Sequence, residues 1–211
     1  MATRELFLHT TNSFNGALAR TDVIAGLALR LYLAPVFWMA GTSKLNHFGD
    51  TVAWFGNDDW GLGLPAPAAL AALATAAELI GALLLTLGLA TRAIAIPLIV
   101  TMLVAIFAVH IDHGWQAIAD QSAPFANARV DEAAAKLARA TSILQEHGKY
   151  DWLTSSGKFV VLNNGIEFAA TYLVMLLALV AYGPGRYLSI DYWIKRWLSP
   201  ASTPEHTTPQ R

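Results

Sequence analysis

The stretch Pro67–Arg92 reads PAALAALATAAELIGALLLTLGLATR, and the fold turns on how it is read. From Pro67 to Leu89 it is almost entirely Ala, Leu, Ile and Gly, interrupted near its middle by Glu78. A run of about 20 apolar residues is long enough to cross a hydrocarbon core as a helix. A carboxylate at that depth costs roughly 2.5–3.5 kcal/mol on insertion scales, so such groups face a bundle interior or a wet cavity. Steps of three and four from Glu78 reach Ala71, Ala74, Thr75, Gly81 and Ala82. A stripe this small lets a second membrane helix approach closely. Glu78 is therefore expected to point at other helices, as a structural carboxylate or as a proton, ion or ligand site.

Three further apolar runs flank this one. Spans are expected near 23–45, 67–89, 93–111 and 163–182. In the first, Arg30, Ala34, Phe37, Gly41 and Lys44 are spaced 4, 3, 4, 3 and share a face, with Pro35 between them as a possible bend. Lys44 at the far end reads as snorkelling or as a ligand contact; Arg30 is deeper and needs a partner. The third span ends in HIDHGW, where His110 and His113 share a face at i and i+3. That spacing could hold a metal, but two histidines without a third ligand are a weak signal, and no metal is assigned. Between the third and fourth spans, residues 112–162 form a loop. Within it Val130, Ala134, Leu137, Thr141 and Leu144 mark a short amphipathic helix near 128–147. The fold class is thus an all-α, integral membrane four-helix bundle, with that amphipathic helix outside the cytoplasm. RYLSIDYWIKRWL, from Arg186, reads as an interfacial segment, and the polar stretch from Ser199 to Arg211 as disordered.

Composition agrees. Charged residues are 14% of the 211-residue chain, against about 25% in soluble domains. The net charge of −1 and the lack of a basic block exclude a nucleic-acid reading. With no cysteine, thiol redox chemistry, disulfides and cysteine-held iron–sulfur clusters are excluded. Residues 1–22 lack the pattern of a cleaved signal peptide and are expected to be a cytoplasmic tail.

Four spans put both termini on one side. Arg92, Arg186, Lys195 and Arg196 lie close to span ends on that side, while the loop 46–66 has three aspartates and no Lys or Arg. The positive-inside rule gives N-in and C-in. At 1.5 Å per residue, Arg30 lies about 10 Å and Glu78 about 15 Å from the inner end, so the two are expected to form a buried pair. Lys44, His110, His113 and Glu167 collect at the outer ends of their spans. They are expected to line one outward pocket for a small molecule, with His110 as the proton-exchanging member. The rival expectation has Lys44 snorkelling, His110 capping its helix and Glu167 favoured by a helix dipole.

Four stretches carry a family resemblance: RLYLAPVFWMAGTSKL from Arg30 to Leu45, AELIGALLLTLGLATR from Ala77 to Arg92, MLVAIFAVH from Met102 to His110, and GPGRYLSID from Gly183 to Asp191. With these the chain resembles the DoxX family of small bacterial four-span membrane proteins. The long outer loop is similar to its HvfX-like branch. Arg30, Gly41, Lys44, Glu78, Gly88, Arg92 and His110 match the family pattern. The resemblance implies residence in the bacterial inner membrane and a link to quinone-coupled oxidation or membrane oxidoreductase complexes. The expected function is a quinone-interacting or redox-associated subunit working with a partner protein. The alternative is a non-catalytic scaffold or small-solute permease.

Overall fold

The computed structural model describes residues 22–199. The expectations for the tail 1–22 and the stretch 199–211 lie outside the described residues, apart from Asp22 and Ser199. The described chain runs α1 (Asp22–Asn46), α2 (Phe48–Gly56), α3 (Pro67–Leu87), α4 (Thr91–Val104), α5 (Ala128–His147), α6 (Tyr150–Leu153), α7 (Glu167–Tyr182) and α8 (Ile190–Leu198). α4 continues through a π turn, Ala105–His110, into a 3-10 turn, Ile111–His113. No sheet forms among these residues; the loop contributes one isolated bridge, Ile118 to Leu162.

Helices α1, α3, α4 and α7 pack as a four-membered ring in which α1 touches α3 and α7, and α4 touches the same two. The core between them is Leu33 and Phe37 from α1, Ala82 and Leu85 from α3, Ala95 and Leu98 from α4, and Leu176 and Leu179 from α7. The outer faces carry Met39, Leu73, Ile96 and Val174, each more than half exposed. A bundle that is apolar all round has lipid, not water, as its solvent. Packing and polar contacts must then hold the helices together, because lipid is as apolar as the core.

Three helices are long and apolar enough to cross a membrane: Ile24–Asn46, Pro67–Leu87 and Thr91–His113. The expected fourth span is shorter. Its helix starts at Glu167 and has 16 residues, about 24 Å at 1.5 Å per residue. Residues 163–166 are not helical because their amides are used elsewhere: Asn163 and Asn164 N–H donate to Ala117 O, and Gly165 N–H to Gln116 O. α3 ends two residues earlier than expected. Gly88 takes a left-handed conformation (φ 64°), donating to Leu85 O, while Leu89 N–H returns to Leu84 O. That pairing is the Schellman stop.

Candidate functional site

Lys44 and Glu78 form a part-buried ion pair between α1 and α3. Lys44 Nζ donates to Glu78 Oε1 at 2.8 Å and Oε2 at 2.7 Å. The Glu78 side chain is 4% exposed and that of Lys44 28%. Two local features set this up. Gly41, one turn before Lys44, lies against α3, and a Cβ there would sit 2.8 Å from Leu79 Cγ. Small residues at the crossing thus bring the two axes together. Helical side chains also lean toward their own N-terminus. α1 and α3 are antiparallel, so Lys44 leans toward the bundle middle while Glu78 leans out to meet it. Lys44 thus gives two of its three N–H donors to Glu78.

The same lean corrects the expected Arg30–Glu78 pair. Arg30 points toward the start of α1, away from Glu78. Its Nη1 donates to Leu85 O at 3.1 Å and its Nη2 to Leu188 O at 2.6 Å. It is fully buried. The carboxylate whose field reaches it is Asp191, a residue that sequence reasoning did not single out. Asp191 Oδ1 accepts from Ala90 N–H at 2.7 Å and Oδ2 from Thr91 N–H at 2.9 Å. It therefore caps α4 from 100 positions away. A local signal existed: Ala90 precedes the helix and has no side-chain oxygen with which to cap it. Gly88 closes the same knot, since any Cβ there would run into Arg30 Nη1. Arg92 Nη2 donates to Ala181 O at 3.1 Å, tying the end of α7 to the start of α4.

The residues expected to line one outer pocket are divided by the structure. Lys44 goes to Glu78. His110 Nδ1 and His113 Nδ1 both meet Asn164 O, at 2.9 and 3.0 Å. A carbonyl only accepts, so this acceptor assigns the proton of each ring to Nδ1. Their centroids are 6.3 Å apart. Glu167 Oε2 accepts from Ala117 N–H at 2.9 Å, and its own N–H donates to Trp115 O. Asn163, also unforeseen, is the centre of this region. It is 2% exposed, donates to His113 O (2.9 Å) and Gln116 O (2.7 Å), and accepts from Arg129 Nε (3.1 Å). Together these groups pin residues 113–117 against 163–167. Among the described residues no hydrogen bond or ion pair joins Lys44 to His110, His113 or Glu167.

An apolar groove of about 370 Å³ opens between α1 and α3, lined by Pro35, Trp38 and Met39 on one side and Ala82, Leu83 and Thr86 on the other. Ala82 is one turn from Glu78. No curated protein and no solved structure matches the chain. The helices are those of a multi-pass membrane protein, and the segment that carries Arg30, Lys44, Glu78, Arg92 and His110, residues 25–111, matches the DoxX family model.

Proposed function

We propose that this protein is a quinone-interacting subunit of a membrane oxidoreductase assembly, with the Lys44–Glu78 pair as its ligand site. The observation that carries the reading is an ammonium that gives two of its three N–H donors to a buried carboxylate while its side chain stays 28% exposed. A quinone carbonyl is an acceptor that such a donor fits, and Glu78 keeps a proton partner beside it. The groove that opens one turn from Glu78 suits the apolar chain of the same ligand, because it offers carbon surface and a Trp face. A bound quinone would supply the redox chemistry. The residues named here bind it, orient one carbonyl and exchange a proton beside it. In this reading electrons come from a partner protein, the cysteine-free chain offering no thiol or cysteine-held cluster of its own.

The same proposal sets the protein in a bacterial inner membrane with N-in and C-in topology, α7 as the fourth span, and segment 112–162 outside. That long segment supports the HvfX-like branch of the family. A chain without cysteine allows single-cysteine labelling with no background. Cysteines at Asn57 and Thr203 are expected to label from opposite sides with an impermeant reagent in intact cells; labelling of both from outside contradicts the topology.

A second reading, the non-catalytic scaffold, is favoured by the histidine region, where His110, His113 and Glu167 all hold loop backbone. Purification with retained lipid followed by mass spectrometry separates the two. The proposal expects about one quinone per chain, lost in Lys44→Met/Glu78→Leu while the fold is kept. An intact parent protein that carries no quinone supports the scaffold.

A further inference from the structure

α8 leaves the end of the bundle with an apolar face that no described element covers. Ile190, Trp193, Ile194 and Trp197 recur at i, i+3, i+4 and i+7. All four are exposed, Trp197 at 84%. The rest of the helix surface and the turn before it are basic. Lys195, Arg196 and Arg186 are exposed, and Arg196 lies 5.8 Å from the Trp193 ring centroid. The one acid of the helix, Asp191, is occupied in capping α4. The basic charges therefore have no carboxylate partner on α8 itself.

The helix is also fixed in place at its start. Ser189 Oγ accepts from Tyr192 N–H at 3.2 Å and donates to Gly185 O at 3.0 Å. Asp191 N–H donates to Gly88 O at 3.0 Å, and Arg30 holds Leu188 O. The α3–α4 turn is at one end of two membrane-length helices, so α8 begins at the level where those helices leave the hydrocarbon. A helix at that level, with aromatic and aliphatic residues on one side and Lys and Arg on the other, has the pattern of an in-plane interfacial helix.

We infer that α8 lies in the headgroup plane of an anionic leaflet, with Ile190, Trp193, Ile194 and Trp197 among the acyl chains and Arg186, Lys195 and Arg196 on lipid phosphates. This goes beyond the quinone reading and does not depend on it. Charge complementarity selects the occupant. A zwitterionic bilayer covers the apolar face but offers phosphates already balanced by choline, whereas an anionic leaflet adds the net negative charge that complements the three cations. Docking of α8 also stabilises the Arg30–Leu188 and Asp191–α4 contacts, because they share its first turn.

The test uses the full chain in nanodiscs of zwitterionic phosphatidylcholine alone, or with about a third phosphatidylglycerol, reading amide hydrogen exchange over residues 190–198. Protection is expected to rise in the anionic discs and to fall back with added salt. Lys195→Gln/Arg196→Gln is expected to lower that rise by about thirty-fold, about fivefold per charge, while keeping the protection seen in neutral discs. Ile194→Ser/Trp197→Ser is expected to lose protection in both. Protection that ignores lipid charge, salt and the Lys195/Arg196 variant overturns the inference. So does protection that appears only when two chains share a disc, which assigns the face to a second copy.

Discussion

Removing the Lys44–Glu78 pair one residue at a time separates a structural ion pair from two independent surface groups. Taking away one partner of a buried pair costs about 3–5 kcal/mol, because the other charge is stranded. The two sides differ here. Lys44→Met strands a carboxylate that is 4% exposed and belongs in the full range. Glu78→Leu strands an ammonium that is 28% exposed on a flexible stem able to move toward the headgroups, so about 2 kcal/mol is expected. Lys44→Met/Glu78→Leu removes both charges and is expected within about 1 kcal/mol of the parent, as replaced buried pairs often are. The assay is reversible unfolding in mixed micelles at increasing SDS fraction, followed by circular dichroism, across the full double-mutant cycle. Coupling of about 4 kcal/mol or more is expected from these figures. Single effects that add to within about 0.5 kcal/mol refute the reasoning. Arg30→Gln combined with Glu78→Gln provides the contrast. Those residues have separate partners, and their effects are expected to add.

Further outcomes follow from the knot, the loop and the outer helix. Asp191→Ala leaves the Ala90 and Thr91 amides uncapped and is expected to cost about 1–2 kcal/mol, read by the same unfolding assay; an unchanged midpoint contradicts the cap. Gly88→Ala meets both a left-handed backbone and Arg30 Nη1, so folded yield in detergent is expected to collapse, whereas Thr86→Ala nearby is expected to be tolerated. Asn163→Ala removes three hydrogen bonds at a buried centre and is expected to raise amide exchange over 113–117 and 163–167 together; a rise in only one segment argues against their being pinned to each other. Lys136 Nζ hydrogen-bonds Glu132 and holds its carboxyl below the ordinary carboxylate range. The contribution of this contact is therefore present above the ordinary range and is lost as pH falls through the lowered value. A carbon-13 NMR titration is expected to show the Glu132 midpoint rising in Lys136→Met.

What the sequence made legible, and what it did not, divides along local and non-local lines. The apolar runs fixed where the three long helices lie, because span length depends only on consecutive residues. Glu78 was recognisable as inward-facing from its small-residue stripe, and it is buried. Its partner was not, since depth arithmetic put Arg30 within reach but ignored side-chain direction. Arg30 and Lys44 both lie on the α1 face, and only their lean along the helix sends one to Leu85 O and the other to Glu78. The start of α7 was misplaced because Asn163 and Asn164 give their amides to Ala117 O across the loop, a pairing with no trace in local pattern. Asp191 lay in plain view of the sequence, yet its role depends on Ala90, 101 positions earlier with α4 to α7 between them.

The central claim is that Lys44 presents a hydrogen-bond donor to a quinone carbonyl at bundle depth. Infrared difference spectroscopy of carbonyl-labelled quinone bound to the reconstituted protein tests it directly. One carbonyl band is expected to shift to lower frequency relative to quinone in empty lipid, and to return to the lipid value in Lys44→Met/Glu78→Leu. An unshifted band in the parent, or the same shift in parent and double variant, contradicts the claim.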